Sequence, residues 1–390
     1  MDLELSEEQQ LLKDSVNGLL ARRYPDVVKT RAEMAKEAGG YSSVSWKEWA
    51  DQGLLAIPFS EEDGGLGQGP VEMMLVGQAI GRTLALEPFL ATVVLGGGIL
   101  RHAASAAQRQ RLVPEIAAGN LTLALAHQEK QSRFDLFDVA TTAKPDGSGG
   151  YVLEGEKMVV LNGDSAAKLI VSARTSGDRR AKDGIGLFLV DAKAPGVSIR
   201  GYATQDGSRA ADISLSSVKV GKDDVLGDPG KALAALERTA DEAIAFLAAD
   251  AVGAMEVLHE ATLEYAKTRK QFGQTIGSFQ VIQHRLVDMF TALEQARSIA
   301  LYGSMMAGED DTTERRRAVH AVKVQIGKSA RLIGQDAIQL HGGIGMTSEY
   351  KAGHYFKRLT MIELAFGNTD HHLRALVRLG GLIEASKPAA

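Results

Sequence analysis

Two apolar stripes in the last third of the chain set the strongest limit on what it can fold into. Ile282, Leu286, Met289, Leu293, Ala296 and Ala300 recur at alternating steps of four and three, and Val322, Ile326, Ala330, Ile333, Ala337 and Leu340 repeat steps of the same two lengths. Such spacing lines up side chains on one face of a helix. A face of that length has to be buried against another, so the chain from about Asp228 onward is expected to form long antiparallel helices in a four-helix bundle. One of these helices is expected to run from about Lys231 to Lys267. It is separated from the next by "QFGQTIGSFQ", an aromatic-, glycine- and amide-rich stretch where a short turn would suffice.

The rest of the chain divides by grammar. Residues 1–122 read as a helical domain. Ser6 and Gln9 form a capping-box pattern before "LLKDSVNGLL", apolar-periodic stretches follow at 71–83 and 106–118, and "PFSEEDGGLGQGP" at 58–70 is dense in turn residues. Residues 123–227 change to short branched runs, "YVLEGEKMVVL", "KLIVSA", "GLFLVDA" and "DISLSSVKV", separated by Gly, Asp and Pro clusters. That spacing predicts a small antiparallel sheet domain. Residues 228–390 return to helix. The expected class is mainly α with a central β domain.

Composition removes several kinds of function. A net charge of −5 offers no basic surface for nucleic acid. No apolar run approaches the ~20 residues of a membrane span. The acidic start "MDLELSEEQQ" is not a secretory signal, and the chain has no cysteine, which excludes disulfides, thiolate catalysis and cysteine-ligated metals. A soluble cytoplasmic protein with no metal site is expected.

The motifs sharpen this. "RKQFGQTIGSFQVIQ" resembles the Arg-x-x-Phe-Gly segment of the acyl-CoA dehydrogenases, and "AIQLHGGIGMTSEY" resembles that family's Gln-x-x-Gly-Gly-x-Gly segment. The resemblance covers essentially the whole chain, in the same helical–β–helical order. "DSVNGLLARRY", "ATVVLGGGIL" and "HYFKRLTMIELAFGNTDHHL" look most like the small-subunit branch of pimeloyl-CoA dehydrogenase, which works beside a larger partner. The resemblance implies FAD as cofactor, an acyl-CoA substrate of medium chain or dicarboxylic type, electron-transfer flavoprotein as acceptor, and a dimer or tetramer. It also implies that the interrupted helical hairpin lies against the FAD of a neighbouring subunit. Arg269 would pair with the pyrophosphate, Phe272 would pack on the cofactor, and Gly273 would let the backbone turn closely. Gln271, Ile276, Phe279, Gln280 and Ile282 fall on positions lining that surface. Gln339, His341, Gly342 and Gly343 would hold the adenine half, with Asn368 and Thr369 also on cofactor positions.

In this family a carboxylate removes the α proton of an acyl thioester while hydride leaves the β carbon for the flavin. Desolvation raises the carboxylate's pKa and suits it to that task. Here both usual positions for the base are vacant of Glu: Phe366 in "LAFGNT" takes one and Ala243 in "TADEAIAF" the other, with Ile244 where an Arg is common. Asp241 falls where relatives contact the CoA pantetheine. Glu363, Asp370, Asp241 and Glu242 are weak substitutes, since acids on helix surfaces are mostly solvated. His371 and His372 read as capping or interface residues, and His127 has the same weak standing. "QEKQSRFD", Gln128–Asp135, replaces the family's Thr-Glu-Pro-Gly-x-Gly-Ser-Asp, and Val159 and Leu161 replace its Trp and Thr ahead of Asn162-Gly163, a pair suited to a hairpin turn. The pattern implies a subunit that grips a partner's FAD while the partner supplies the base. A flavoenzyme that needs no glutamate base and a non-catalytic structural subunit are the alternatives.

Overall fold

The computed structural model describes residues 5–381. By compactness the chain divides into two units, one of Met1–Glu33, Pro70–Ala85 and Ile244–Ala390, the other of Met34–Gly69 and Leu86–Ala243.

In the first unit, the helix Glu7–Arg23 begins where the sequence predicts, with the Ser6 side chain accepting from Gln9 N–H and the Gln9 side chain returning to the Ser6 N–H. Its other α-helices among the described residues are Val27–Met34 except for its last residue, Pro70–Thr83, the greater part of Leu233–Thr268, then Gln280–Ala307, Thr312–His341, Lys351–Leu364 and Thr369–Arg378. Five of the six residues in the first predicted stripe and all six in the second are buried, Ile282 being half-buried. Close approach is set by small residues. A Cβ at Gly303 would come within 2.7 Å of Val322 Cγ2, and one at Gly334 within 2.8 Å of the Phe356 ring. Ser329 Oγ donates across to Ala292 O at 2.9 Å. The pair of buried Asp250 with half-buried Arg358, at 2.6 Å, is a second polar fastening.

The second unit holds the sheet. Its strands are β1 (Leu123–Ala126), β2 (Thr142–Pro145), β3 (Tyr151–Leu161), β4 (Lys168–Arg174), β5 (Ile185–Asp191), β6 (Val197–Ala203), β7 (Arg209–Val220) and β8 (Val225–Leu226). They run in the order β6-β7-β3-β2-β4-β5-β8, with β1 beside β4. The four runs read from sequence as strands are β3, β4, β5 and β7. The sheet is mixed rather than wholly antiparallel, because β1 and β2 both lie parallel to β4. A second correction concerns Asn162-Gly163. It is a turn, with Asn162 at φ +52, but β3 pairs with β2 and β7 and not with the strand that follows, so no hairpin forms there. The apolar run Leu90–Gly96 is a π-helix continuing into the short helix Gly97–Ala103. Gly96, Gly97 and Gly98 each face a different close neighbour, with a Cβ placed 2.6 Å from Leu123, 2.6 Å from Phe59 and 2.8 Å from Thr239 respectively.

Candidate functional site

The interruption between helices Leu233–Thr268 and Gln280–Ala307 is a minimal β-hairpin. Lys270–Gln271 pairs with Gln274–Thr275, and a single 3-10 turn, Ile276–Ser278, leads into the next helix. The Arg269 N–H donates to Tyr265 O at 2.8 Å, and the Ile276 N–H to Arg269 O at 2.9 Å, so the base of the hairpin is pinned. Its tip is strained and open. Phe272 sits at φ +53 with 91% of its surface exposed, next to Gly273 at φ +81. A bulky residue at positive φ is an outlier that folding alone does not favour. Phe279 meets the Phe272 ring edge-on at 6.2 Å. Arg269, Gln271 and Gln280 are exposed and Ile276 is half-buried. The Arg269 guanidinium has no ion-pair partner among the described residues.

The second motif ends the helix Thr312–His341. Gly342 adopts φ +62, ψ −138, which only glycine takes readily, and Gly343 follows in a 3-10 turn. A Cβ at Gly342, Gly343 or Gly273 would meet nothing within 4 Å. The space beside these glycines is therefore not claimed by the chain itself. Gln339 is exposed, but His341 is buried. Its ring faces inward between Tyr265 and Tyr350, so of the residues expected on the adenine half it alone turns into the core.

The turn after helix Lys351–Leu364 carries Phe366 at φ +56 and Gly367 at φ +114. It is saturated from within. The Lys323 ammonium, 2% exposed, donates to the carbonyls of Ile362 (2.7 Å), Glu363 (2.8 Å) and Gly367 (2.8 Å). Burial lowers its pKa to about 7 against the opposing charge of Glu363. His372 Nε2 donates to Phe366 O at 3.0 Å, which leaves its Nδ1 to accept from His320 Nδ1–H at 2.8 Å. Burial keeps both rings neutral, with pKa values lowered to about 4 for His320 and about 2 for His372. His372 thus has an interior role, and the cap of the last helix is Asn368, whose side chain accepts from His371 N–H. Thr369 takes part in lining a 350 Å³ cavity with Lys328, Arg331, Leu332, Gln335 and Asp336. Glu363 accepts from Thr369 N–H at 3.0 Å, while Asp370 is exposed.

In the second unit, Glu129, within the stretch 128–135, is held by residues of neighbouring strands and loops. Lys157, fully buried, donates to Glu129 (2.6 Å), Ser172 (3.0 Å) and His127 O (3.3 Å). Glu129 also accepts from Ala140 and Thr141 N–H and from Gln131. Burial alone would raise the Glu129 pKa, but Lys157 and these hydrogen bonds outweigh it and bring it to about 2. Burial brings Lys157 down to about 8, with Glu129 opposing, so the pair is charged at neutral pH. His127 is held neutral, its pKa lowered to about 3 by burial and then by Lys157. Val159 stands at φ +51 in a bulge where two residues of β3 face Asp212 alone, whose carboxylate accepts the Val159 N–H at 3.2 Å. At the other usual base position, Ala243 is fully buried, and Asp241 is 4% exposed. Glu242 is not a solvated surface acid. It pairs with Arg101 at 2.6 Å and His102 at 2.8 Å. The Glu129–Lys157 knot was not foreseen; its one sequence signal was a lysine at an inward position of an alternating strand.

Models of the acyl-CoA dehydrogenase N-terminal, middle and C-terminal domains match residues 6–120, 124–219 and 234–379 in turn. The chain belongs to the acyl-CoA dehydrogenase family. It is 30% identical to the mitochondrial isovaleryl-CoA dehydrogenase of Oryza sativa subsp. japonica, over 83% of this chain and 80% of that one. The fold superposes on the FAD complex of PigA with a TM-score of 0.89 at 26% identity, covering 98% of this chain and 100% of that one. It superposes on the ChsE4-ChsE5 complex from Mycobacterium tuberculosis with a TM-score of 0.85 at 26% identity, covering 97% and 98%. Family membership makes the chain part of a flavin-dependent class of oxidoreductases. The open glycines, exposed aromatic and exposed Arg269 fit one edge of an FAD. The self-bonded residues around Glu129 do not offer free groups to a flavin ring.

Proposed function

We propose that this chain is the small subunit of a mixed acyl-CoA dehydrogenase, contributing the half-site for the adenine and pyrophosphate of FAD held by a larger partner. The observation that carries it is the contrast between glycines with open space at 273, 342 and 343 and the absence of a carboxylate at 366 and 243. Arg269 pairs with the pyrophosphate and Phe272 packs on the cofactor, with Gln271, Ile276, Phe279 and Gln280 lining the same surface. Gln339, Gly342 and Gly343 hold the adenine half, and Asn368 and Thr369 border it. Asp241 serves the CoA moiety. FAD, when bound, supplies the hydride acceptor. The partner supplies the base that takes the α proton, and electron-transfer flavoprotein accepts the electrons. The substrate is a medium-chain or dicarboxylic acyl-CoA, and the assembly is a cytoplasmic dimer or tetramer. The three-domain division 1–122, 123–227 and 228–390 belongs to the same reading, supported by strands that, among the described residues, are confined to 123–226 outside the short hairpin.

Turnover with an artificial electron acceptor tests it, for the chain alone and with its partner. A positioned base contributes about 10²–10⁴ in rate, so the isolated chain should be slower by at least that factor. The complex should keep its activity when Glu363→Gln and Asp370→Asn are introduced. Full turnover by the isolated chain, abolished by either substitution, would place the base in this subunit and overturn the proposal.

A further inference from the structure

His341 joins the two outward motifs through the interior. Its ring lies 4.6 Å from the Tyr265 ring at 33° and 4.9 Å from the Tyr350 ring at 47°. Both nitrogens are engaged. Nδ1 is 2.8 Å from Ala337 O, which can only accept, so the proton is on Nδ1. Nε2, at 3.2 Å, therefore accepts from the Tyr350 hydroxyl. The two tilted ring contacts restrict the ring plane, and the two hydrogen bonds fix rotation within it. Tyr265 is also the residue whose carbonyl pins the Arg269 N–H, and His341 directly precedes Gly342.

We infer that His341 is a positioning residue, an aromatic rivet that sets the Arg269–Gly273 hairpin against the Gly342–Gly343 turn so that both meet one dinucleotide. The inference rests on the half-site reading above. It differs from the role expected from sequence, in which His341 itself would touch the cofactor. A core residue of any shape could fill the volume. An aromatic ring set against two others holds orientation as well as volume, and the two hydrogen bonds select one rotation of it. Burial lowers the His341 pKa, the hydrogen bond to Ala337 opposing, and this keeps Nε2 able to accept from Tyr350.

The test is FAD titration into the apo form of the assembly, followed by flavin fluorescence quenching, with the melting temperature of each apo variant measured beside it. His341→Ala should weaken FAD binding tenfold or more. His341→Phe, which keeps the stack and loses both hydrogen bonds, should bind within about threefold of the wild type. Arg269→Ala is the reference variant and should also lose at least tenfold. If Arg269→Ala weakens binding and His341→Ala does not, the rivet is overturned while the half-site stands. If neither changes binding, the half-site reading itself fails. If His341→Phe is as weak as His341→Ala with an unchanged melting temperature, the ring contacts do not position the two motifs and the rivet is overturned. Should His341→Ala not fold, Tyr265→Leu removes one side of the stack at a half-buried position and carries the same expectation.

Discussion

Around Glu129 four donor groups make five hydrogen bonds to one buried carboxylate and its neighbour Ser172, and these groups are used within the chain. At the Arg269–Thr275 hairpin the reverse holds: an arginine, two amide side chains and a phenylalanine stand in solvent on a strained turn. The first arrangement makes removal of a residue a folding defect. The second, on the proposed half-site, should make it a binding defect with little effect on the fold. Groups satisfied internally cannot also serve a ligand, so the contrast separates scaffold from candidate site more cleanly than residue type does.

The largest effect should come from breaking the knot. Lys157→Met leaves an ionised carboxylate buried without its counter-charge and should destabilise the unit by about 3–5 kcal/mol in urea melts. Adding Glu129→Gln should recover part of that loss. A single variant within about 1 kcal/mol of the wild type would show that the knot is not the fastening its geometry suggests.

A second, smaller effect concerns pH. His320 is neutral in the fold, with its pKa lowered to about 4. As pH falls from 6.5 toward 4, the unfolded chain gains a proton that the native state refuses. Stability should therefore fall with pH across that window, by about 3 kcal/mol for this residue. His320→Gln should flatten the slope, as read from denaturation midpoints at pH 7 and pH 4.5. An unchanged slope would assign the acid sensitivity elsewhere.

The smallest effect on folding, and the sharpest on the comparison, is expected at Gly343. A Cβ there meets open space, so Gly343→Ala should change stability by no more than about 0.5 kcal/mol. On the proposed half-site it should nonetheless lower flavin retention on gel filtration fivefold or more, because the added methyl would take space assigned there to the cofactor. Loss of stability with unchanged flavin content would reverse the distinction between the two regions.

Much of this was legible in sequence because it is local. The apolar stripes, the capping box at Ser6 and four strands follow from spacing alone. Strands β1, β2, β6 and β8 were not read, since β1 and β2 are only four residues long, β8 only two, and β6 alternates with exposed polar residues rather than presenting a continuous apolar run. The outward hairpin was legible because glycine and phenylalanine together at a helix break have few uses. The inward turn of His341 was not, because its partners Tyr265 and Tyr350 lie on other elements, and nothing in "QLHGG" distinguishes a ring facing out from one facing in. Glu242 was misread as a solvated acid for the same reason: its partners Arg101 and His102 lie about 140 residues away.

Lys323 carries the same lesson into heredity. The helix Lys351–Leu364 has no glycine at its end; Ala365 follows, and the terminal carbonyls are met by an ammonium 39 to 44 residues earlier in the chain. The boundary of one helix is thus encoded in another. A codon change at 323 would surface as a fault at 366, where the chain turns through two left-handed residues. Anyone mapping variants by position would assign that fault to the wrong gene segment.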